Sequence, residues 1–553
     1  MSKRRSAWWE LAVVLHGFSA LTILFTYPLA FHLGSVARID NGDGQFAIWN
    51  VAWVARALLR DPRHVFDANI FYPHHGTLAY SETNLGAGAL AVPVYWATGN
   101  GYAAHNFSFL ISFVLSGAGM YYLARYLTSD RRAAVVAAIC YAYCPYVFGH
   151  TPHIQLLMTA GLPFGMLALH RAMDQPTASR GAALGLVMAA QAFFCGYYAI
   201  FLMLAITFAV VVIGLMRGLW RDRPFWIAIG TAVVVAIACS LPVLLPYLKL
   251  QHDAGFVRSL RASREFSAHW HSYLSSSSYL HRWVLAGSGG ELLFPGFITL
   301  TFGVAGGVSA SRRAGRLREL AIVYTGLGIL ALWASFGPSA GLYSVLYKIV
   351  TAFTFLRAPG RFGLIVDFAL SVLAGVAVSE LLQRCRRSSL VAAGLACLAA
   401  AELLSAIPFQ RVPPVDEAYR VLATLPPGPV LELPVYSRHF AHARERYMLN
   451  STIHWMPLID AYSDFIPVDF AARVETYAQF PSRESLALLM PMGARYAVFH
   501  PNEYNPAARV ELTKRIAEFS PYLCKHASTE RVWLYEISGC PRSPGPAHGE
   551  HVK

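Results

Sequence analysis

The sequence contains little charge for its length. Only 14% of its 553 residues are Asp, Glu, Lys or Arg, whereas 56% are hydrophobic, and the mean hydropathy is +0.42. Soluble domains carry roughly 25% charged residues, so the composition excludes an ordinary soluble protein and predicts an integral membrane protein. The first apolar run, 11–31, is too long for the core of a signal peptide and precedes no small-residue cleavage site. It is therefore predicted to be a retained crossing.

Cysteine is also sparse, and its placement argues against a zinc site. Cys140 and Cys144 lie four residues apart, but no His or carboxylate follows at a spacing that completes a set of zinc ligands. Cys524 and Cys540 lie in the polar C-terminal part of the chain. We predict that these two form a disulfide if that part is extracytoplasmic.

Acidic residues are outnumbered by basic ones, 31 to 45, which gives a formal net charge of +14. Binding to nucleic acid is not predicted, because the Arg residues cluster in short gaps between apolar runs, as cytoplasmic loops do. The N-terminus is then predicted to be cytoplasmic. A topology of about eleven crossings places every Arg cluster on the cytoplasmic side. The predicted crossings are 11–31, 102–127, 133–148, 154–169, 182–194, 199–215, 225–248, 292–308, 320–336, 362–382 and 390–407.

The fold class predicted from this pattern is mainly α: a polytopic bundle of about eleven transmembrane helices over 1–408. The first outer loop, 32–83, is predicted to carry an amphipathic helix on the membrane surface at 46–59. Residues 84–98 are apolar but short, and are predicted to be interfacial or re-entrant. After them come a small extracytoplasmic α/β domain at 409–540 and a disordered tail at 541–553. No internal repeat is visible.

The first outer loop opens with a pair of carboxylates in the run IDNGDGQFAIWNVAW. Asp40 and Asp43 are the candidate catalytic residues, because a carboxylate beside a membrane can take a proton from an acceptor hydroxyl. Residue types alone also allow the alternative that Asp43 caps a helix beginning near Ile48.

Further candidates for substrate binding lie in the outer loops. Glu82 is expected to position an acceptor or a cation, or else to cap a helix. His75 and His153 are expected to contact phosphate or metal, or else to be ordinary surface residues. Arg357 and Arg361, in FLRAPGRF, are the strongest phosphate-binding candidates, because a guanidinium matches phosphate geometry and the intervening Pro and Gly break the helix. Snorkelling to lipid head groups is the alternative.

Several longer stretches make the sequence resemble a known family. They include GDGQFAIWNVAWVARALLRDPRHVF, AHNFSFLISFVLSG, FLRAPGRF and STIHWMPLIDAYSDF. These stretches resemble bacterial multi-pass proteins of the GT-C glycosyltransferase superfamily, similar to transferases that use polyprenyl-phosphate sugars. The resemblance implies an inverting glycosyltransferase with a catalytic carboxylate in the first outer loop, where this chain supplies Asp43 and Asp40.

The function predicted on this basis is transfer of a sugar from a polyprenyl-phosphate donor to a glycan, lipid or protein acceptor outside the cytoplasm. No cofactor is required by the sequence, although a divalent metal is left open, and the expected surroundings are membrane lipid without nucleic acid. Two alternatives are a transporter or flippase of lipid-linked glycans and a non-catalytic scaffold. In the scaffold, the outer domain would bind glycan through His454, Trp455, Tyr462 and Phe465.

Overall fold

The computed structural model describes residues 2–40, 42–283 and 290–537. The chain is mainly helical as far as residue 403. Its helices there are α1 Ser2–Phe25, α2 Gly42–Arg60, α3 Leu85–Thr98, α4 Gly101–Thr128, α5 Arg131–Ala142, α6 Pro145–Gly149, α7 Ile154–Leu157, α8 Gly161–Asp174, α9 Ala178–Phe194, α10 Gly196–Arg217, α11 Arg223–Ala254, α12 Leu260–Glu265, α13 Phe297–Ser311, α14 Arg316–Ser335, α15 Leu342–Ile349, α16 Gly363–Arg384 and α17 Ser388–Leu403. A two-stranded pair joins β1 Val36–Ala37 to β2 Gln410–Arg411.

Within the described residues, eight helical segments are long and apolar enough to cross a membrane. Four shorter apolar helices, α3, α9, α13 and α17, accompany them. The predicted polytopic helical fold is therefore confirmed. Three of the shorter helices, α9, α13 and α17, coincide with predicted crossings, whereas α3 coincides with the predicted interfacial segment. Helix length alone therefore does not distinguish a crossing from an interfacial segment. The number of crossings stays a prediction.

Helix α2 differs from the predicted surface helix. It begins at Gly42 rather than Phe46, and its interior is buried on several sides, with Ile48, Trp49 and Val51 each at most 1% exposed. The physical reason lies in its composition, because apolar residues surround the helix instead of forming one stripe, and such a helix is buried rather than laid on a surface.

The chain separates into two compact units. The helical unit contains the described residues of Met1–Asp40, Asn50–Leu59 and Glu82–Arg411. The α/β unit contains those of Asn41–Trp49, Arg60–Ser81 and Val412–Lys553. Segments of the first outer loop thus belong with the C-terminal part of the chain, a grouping that sequence patterns did not suggest.

The α/β unit is organised around a four-stranded mixed sheet in the order β3-β4-β6-β5. Its strands are β3 Val430–Leu433, β4 Tyr496–Phe499, β5 Leu523–Ser528 and β6 Trp533–Ile537. Its helices are α18 Glu417–Thr424, α19 Glu445–Ser451, α20 Val468–Ala478, α21 Arg483–Leu489 and α22 Pro506–Glu518. Strands β3 and β4 are parallel and fully buried, whereas β6 runs antiparallel to β4 and β5. The predicted α/β character of this region is confirmed.

Strand β5 was not predicted, because its sequence LCKHAS is polar and only partly buried. Cys524 lies in this strand and is disulfide-bonded. Cys540 and the predicted tail 541–553 lie outside the described residues, so the pairing of the two Cys residues stays a prediction.

Backbone and ring contacts tie the first-loop segments into the α/β unit. The Tyr72 amide donates to the Leu458 carbonyl at 2.8 Å, and the Leu458 amide donates to the Asn69 carbonyl at 2.9 Å. The Tyr80 and Phe465 rings meet edge to face at 4.9 Å. Phe465 therefore packs against this loop. It is one of the residues assigned to a glycan-binding surface in the scaffold alternative.

Candidate functional site

Arg357 and Arg361 lie in a short segment ahead of α16; Arg361 belongs to a single helical turn, Pro359–Phe362, and Arg357 lies two residues before it. Two backbone hydrogen bonds fix it: the Arg357 amide donates to Tyr197 Oη at 2.8 Å, and the Gly360 amide donates to the Phe266 carbonyl at 3.0 Å. Both guanidinium groups then lie over aromatic rings. The distance from Arg361 Cζ to the Tyr197 centroid is 4.2 Å, and that from Arg357 Cζ to the Phe266 centroid is 5.1 Å.

A His–Glu pair lies in the same part of the helical unit. His150 Nε2 is 3.1 Å from Glu291 Oε2, and His150 Nδ1 is 2.8 Å from the Tyr146 carbonyl. Both ring nitrogens of His150 therefore face oxygen atoms. Burial alone would raise the pKa of Glu291, but its contact with His150 and the charge of Arg361 lower that pKa below its usual value.

His153 completes this group, which we call the guanidinium cluster: Arg357, Arg361, His150, His153 and Glu291. Burial first, and then the positive charge of Arg361, lower the pKa of His153 well below its usual value, so the ring is neutral at physiological pH. The Arg361 Nε atom is buried and has no hydrogen-bond partner among the described residues. Positive charge thus exceeds negative charge in the cluster, and its buried guanidinium donor is of a kind that suits an anionic group.

An apolar cavity of about 710 Å³ lies between α13, α14 and α16. Its lining includes the small residues Gly303 and Gly307 and the larger Val304 and Ile329. Trp270 and Phe294 also line it, and they lie between α12 and α13 in the chain, as does Glu291 of the guanidinium cluster.

Glu82 lies at the start of α10 in the helical unit. Its Oε2 accepts a hydrogen bond from the Gly196 amide at 3.3 Å, and the positive end of the helix dipole favours a carboxylate at this position. Glu82 therefore caps α10, which begins 114 residues later in the chain, rather than the helix next to it. Asp40, in the same unit, forms an ion pair with Arg38, and Arg38 Nε donates to Thr151 Oγ1 at 3.2 Å.

Asp43 is exposed in the first turn of α2, so it does not cap a helix starting near Ile48. It belongs to a group in the α/β unit that we call the carboxyl cluster: Asp43, Glu445 and Asp464. Asp464 Oδ2 accepts a hydrogen bond from Ser81 Oγ at 3.1 Å. Burial, then the charges of Asp43 and Asp464, raise the pKa of Glu445 to about 9.

His75 does not belong to either cluster as described. Its side chain is 86% exposed, and its Nδ1 atom lies 3.4 Å from Asp67 in the α/β unit. Across the described residues, no group of three or more His, Cys, Asp or Glu side chains has an arrangement that could hold a metal ion.

Glu291 and Glu445 are among the cluster members that the sequence patterns did not indicate. Glu291 lies in the run SGGELLFPG, and Glu445 lies between two Arg residues in HARERY. The second pattern is typical of a solvated, ion-paired helix surface. Neither stretch has a local sequence pattern that indicates a functional residue. The surroundings of Glu291 and Glu445 are formed by contacts with distant parts of the chain.

A family model for dolichyl-phosphate-mannose-protein mannosyltransferases matches residues 95–245. The matched part is less than half of the chain; it contains His150 and His153 but neither the two candidate Asp residues nor the Arg pair. No curated protein sequence matches the chain.

Among solved structures, the archaeal oligosaccharyltransferase AglB from Archaeoglobus fulgidus, in complex with an inhibitory peptide and a dolichol-phosphate, is similar. It is 13% identical, with 96% of this chain and 74% of that chain covered and a TM-score of 0.45. ArnT from Cupriavidus metallidurans in the apo state is 14% identical, with 96% and 98% covered and a TM-score of 0.49. ArnT bound to undecaprenyl phosphate is 13% identical, with the same coverage and a TM-score of 0.39.

The molecule is thus a polytopic membrane protein with a separate α/β unit. The family-model match over residues 95–245 agrees with the resemblance to GT-C glycosyltransferases that the sequence motifs indicated.

Proposed function

We propose that the protein transfers a sugar from a polyprenyl-phosphate donor to an acceptor hydroxyl outside the cytoplasm. The observation that carries the proposal is the guanidinium cluster, in which a buried Arg361 donor has no partner within the described part of the chain. A phosphate bound there would accept hydrogen bonds from both Arg side chains and from neutral His153. The cluster stabilises the charge that develops on the phosphate as the sugar leaves.

The apolar cavity between α13, α14 and α16 is proposed to hold the first part of the donor's hydrocarbon tail. Its loop residues neighbour those of the guanidinium cluster along the chain, so a single lipid with a charged head and an apolar tail suits both. Since lipid tails are as apolar as the cavity, packing rather than the hydrophobic effect would favour this site over bulk membrane.

The chemical step is proposed to be a single displacement with inversion. The acceptor oxygen forms a bond to the anomeric carbon, the bond from that carbon to the phosphate oxygen breaks, and the electron pair leaves with polyprenyl phosphate. Asp43 takes the acceptor's proton. Asp40 is the less suitable base, since its carboxylate is already paired with Arg38.

The proposal is tested with purified protein in vesicles that contain polyprenyl-phosphate sugars labelled in the sugar. We expect the label to move from the lipid to an added acceptor extract while free polyprenyl phosphate accumulates. Label that changes leaflet but stays on the lipid would instead identify a flippase and contradict the proposal.

Filling the cavity should weaken donor binding selectively. In Val304→Trp, the indole occupies the space proposed for the tail, so we expect the KM for the donor to rise about threefold to tenfold while kcat changes little. Val234→Trp, on α11, is the matched control, because Val234 is similarly exposed on a membrane helix but does not line the cavity. Equal KM values for the two variants would contradict the cavity's assignment.

A further inference from the structure

Glu445 has an unusual position at the first residue of α19. It is 1% exposed, and its carboxyl group lies so close to Gly42 that any Cβ at residue 42 would overlap it. Gly42 is therefore required for close approach, and the Glu445 carboxyl group fills the space that Gly42 leaves at the start of α2. Asp43, the proposed base, is the next residue.

Among the described residues, the charges that act on the pKa of Glu445 are negative. Asp43 and Asp464 both raise its pKa, in addition to burial. The two neighbouring Arg residues serve other groups: Arg446 lies 2.9 Å from Glu503, and Arg444 donates to the Ala461 carbonyl at 3.2 Å. The Glu445 Oε2 atom has no hydrogen-bond partner within the described residues. The carboxyl group consequently keeps its proton at neutral pH.

A buried carboxyl group without a cation destabilises a folded unit, and an apolar side chain of similar size would be less costly. Residues that are costly for stability are concentrated at functional sites. The location of this one, against the residue before Asp43, connects it to the reaction rather than to general packing.

We propose that Glu445 is a positioning residue for Asp43, and that its protonated carboxyl group holds the first turn of α2 in the reactive arrangement. The inference rests on the proposed function, in which Asp43 is the base. Ionisation of Glu445 would set a third negative charge beside Asp43 and Asp464 and draw water to a dry contact. The first turn of α2 would then shift, and transfer would slow without any change in the protonation of Asp43.

The test is the pH dependence of transfer by the full-length protein, using the donor and acceptor of the labelled-sugar assay. For the wild type we expect kcat to fall as pH rises through about 9. Glu445→Gln should keep kcat at pH 7 within about threefold and lose this alkaline decline, since an amide keeps the shape and a donor but has no proton to lose. Glu445→Ala should lose activity at every pH. The proposal is overturned if Glu445→Gln retains the alkaline decline or if Glu445→Ala has normal kcat.

Asp464→Asn provides a second test, in which the alkaline decline of kcat should be shifted rather than lost. Removing this charge removes one of the causes that raise the pKa of Glu445, so the alkaline decline should move to lower pH. Glu475→Gln is the matched control, an exposed carboxyl of the same unit, and it should leave the profile unchanged. An Asp464→Asn profile that coincides with the wild type would also overturn the proposal.

A stability measurement separates this inference from the proposed function. The pKa of Glu445 is raised from 4.5 to about 9 in the folded protein, so its contribution to stability is complete below pH 4.5 and is lost as pH rises toward 9. The unfolding equilibrium should shift by up to about tenfold per pH unit in that window, and Glu445→Gln should lack this shift. If the linkage is found but Asp43→Asn remains active, the proposed base is wrong while the buried carboxyl stands. If Asp43→Asn is inactive and the linkage is absent, the inference about Glu445 fails alone.

Discussion

Asp43→Asn is expected to lower kcat for sugar transfer by two to four orders of magnitude. Asparagine has the same shape but cannot accept the acceptor's proton. Folding should be almost unaffected, because Asp43 is exposed in the first turn of α2, where a carboxylate stabilises a helix by only about 0.3–1 kcal/mol through the dipole. Donor binding should also persist, since the guanidinium cluster is unchanged.

Asp40→Asn is the matched control for that variant. The change removes the partner of Arg38, so a moderate loss through altered loop anchoring is expected, with kcat within about tenfold of the wild type. Normal turnover by Asp43→Asn together with inactive Asp40→Asn would move the base three residues toward the N-terminus. Normal turnover by both variants would exclude both Asp40 and Asp43 as the base.

Arg361→Met is expected to reduce kcat/KM for the donor by roughly 10²–10³-fold, through both KM and kcat. Truncating one partner of a buried charged contact typically costs about 2–5 kcal/mol of binding, and a contact made to the phosphate in both ground and transition states affects both parameters. Methionine keeps the apolar volume over the Tyr197 ring. The measurement is the initial rate of transfer as a function of donor concentration.

Arg361→Met should not lower the thermal stability of the protein in the absence of donor. The Arg361 Nε atom has no partner in the described part of the structure, and replacing a buried ion by an apolar residue is often neutral or stabilising. A variant with equal or higher thermal stability and almost no activity is therefore the expected combination. Arg282→Met is the control, because Arg282 also lies over an aromatic ring, Tyr279, but is exposed. Equal kinetics for the two variants would remove Arg361 from the donor site.

Hydropathy and the placement of Arg residues predicted most of the helical unit, because membrane spans are specified locally by continuous apolar runs. The α/β unit was predicted from short apolar runs, of which those of β3 and β4 are fully buried. Helix α2 was placed on the membrane surface because Phe46 and Trp53 follow a helical spacing, although Ile48 and Val51 fill the intervening faces. A single apolar stripe on α2 was thus inferred from the sequence, whereas apolar residues surround this helix.

The candidate sites were predicted only where residue type alone indicates the chemistry. Two Arg residues around a Pro-Gly break favour an anion site by residue type alone, and the helical unit places them near His153. The sequence could not indicate that Glu82 caps α10, since its partner Gly196 is far away in the sequence. Glu291 and Glu445 depend wholly on tertiary contacts, and the charge pattern around Glu445 indicated the opposite of its burial.

The segments that make up the α/β unit restrict how many times the chain between them can cross the membrane. A compact polar unit does not extend through a bilayer, so we infer that the first-loop segment Arg60–Ser81 and the described residues after Val412 lie on one side of the membrane. The chain between them must therefore cross an even number of times. Among the described residues, seven long and four short apolar helices lie in this interval, an odd total. An odd number of them must turn back within or along the membrane, and α3, with Pro93 in its interior, satisfies the requirement alone.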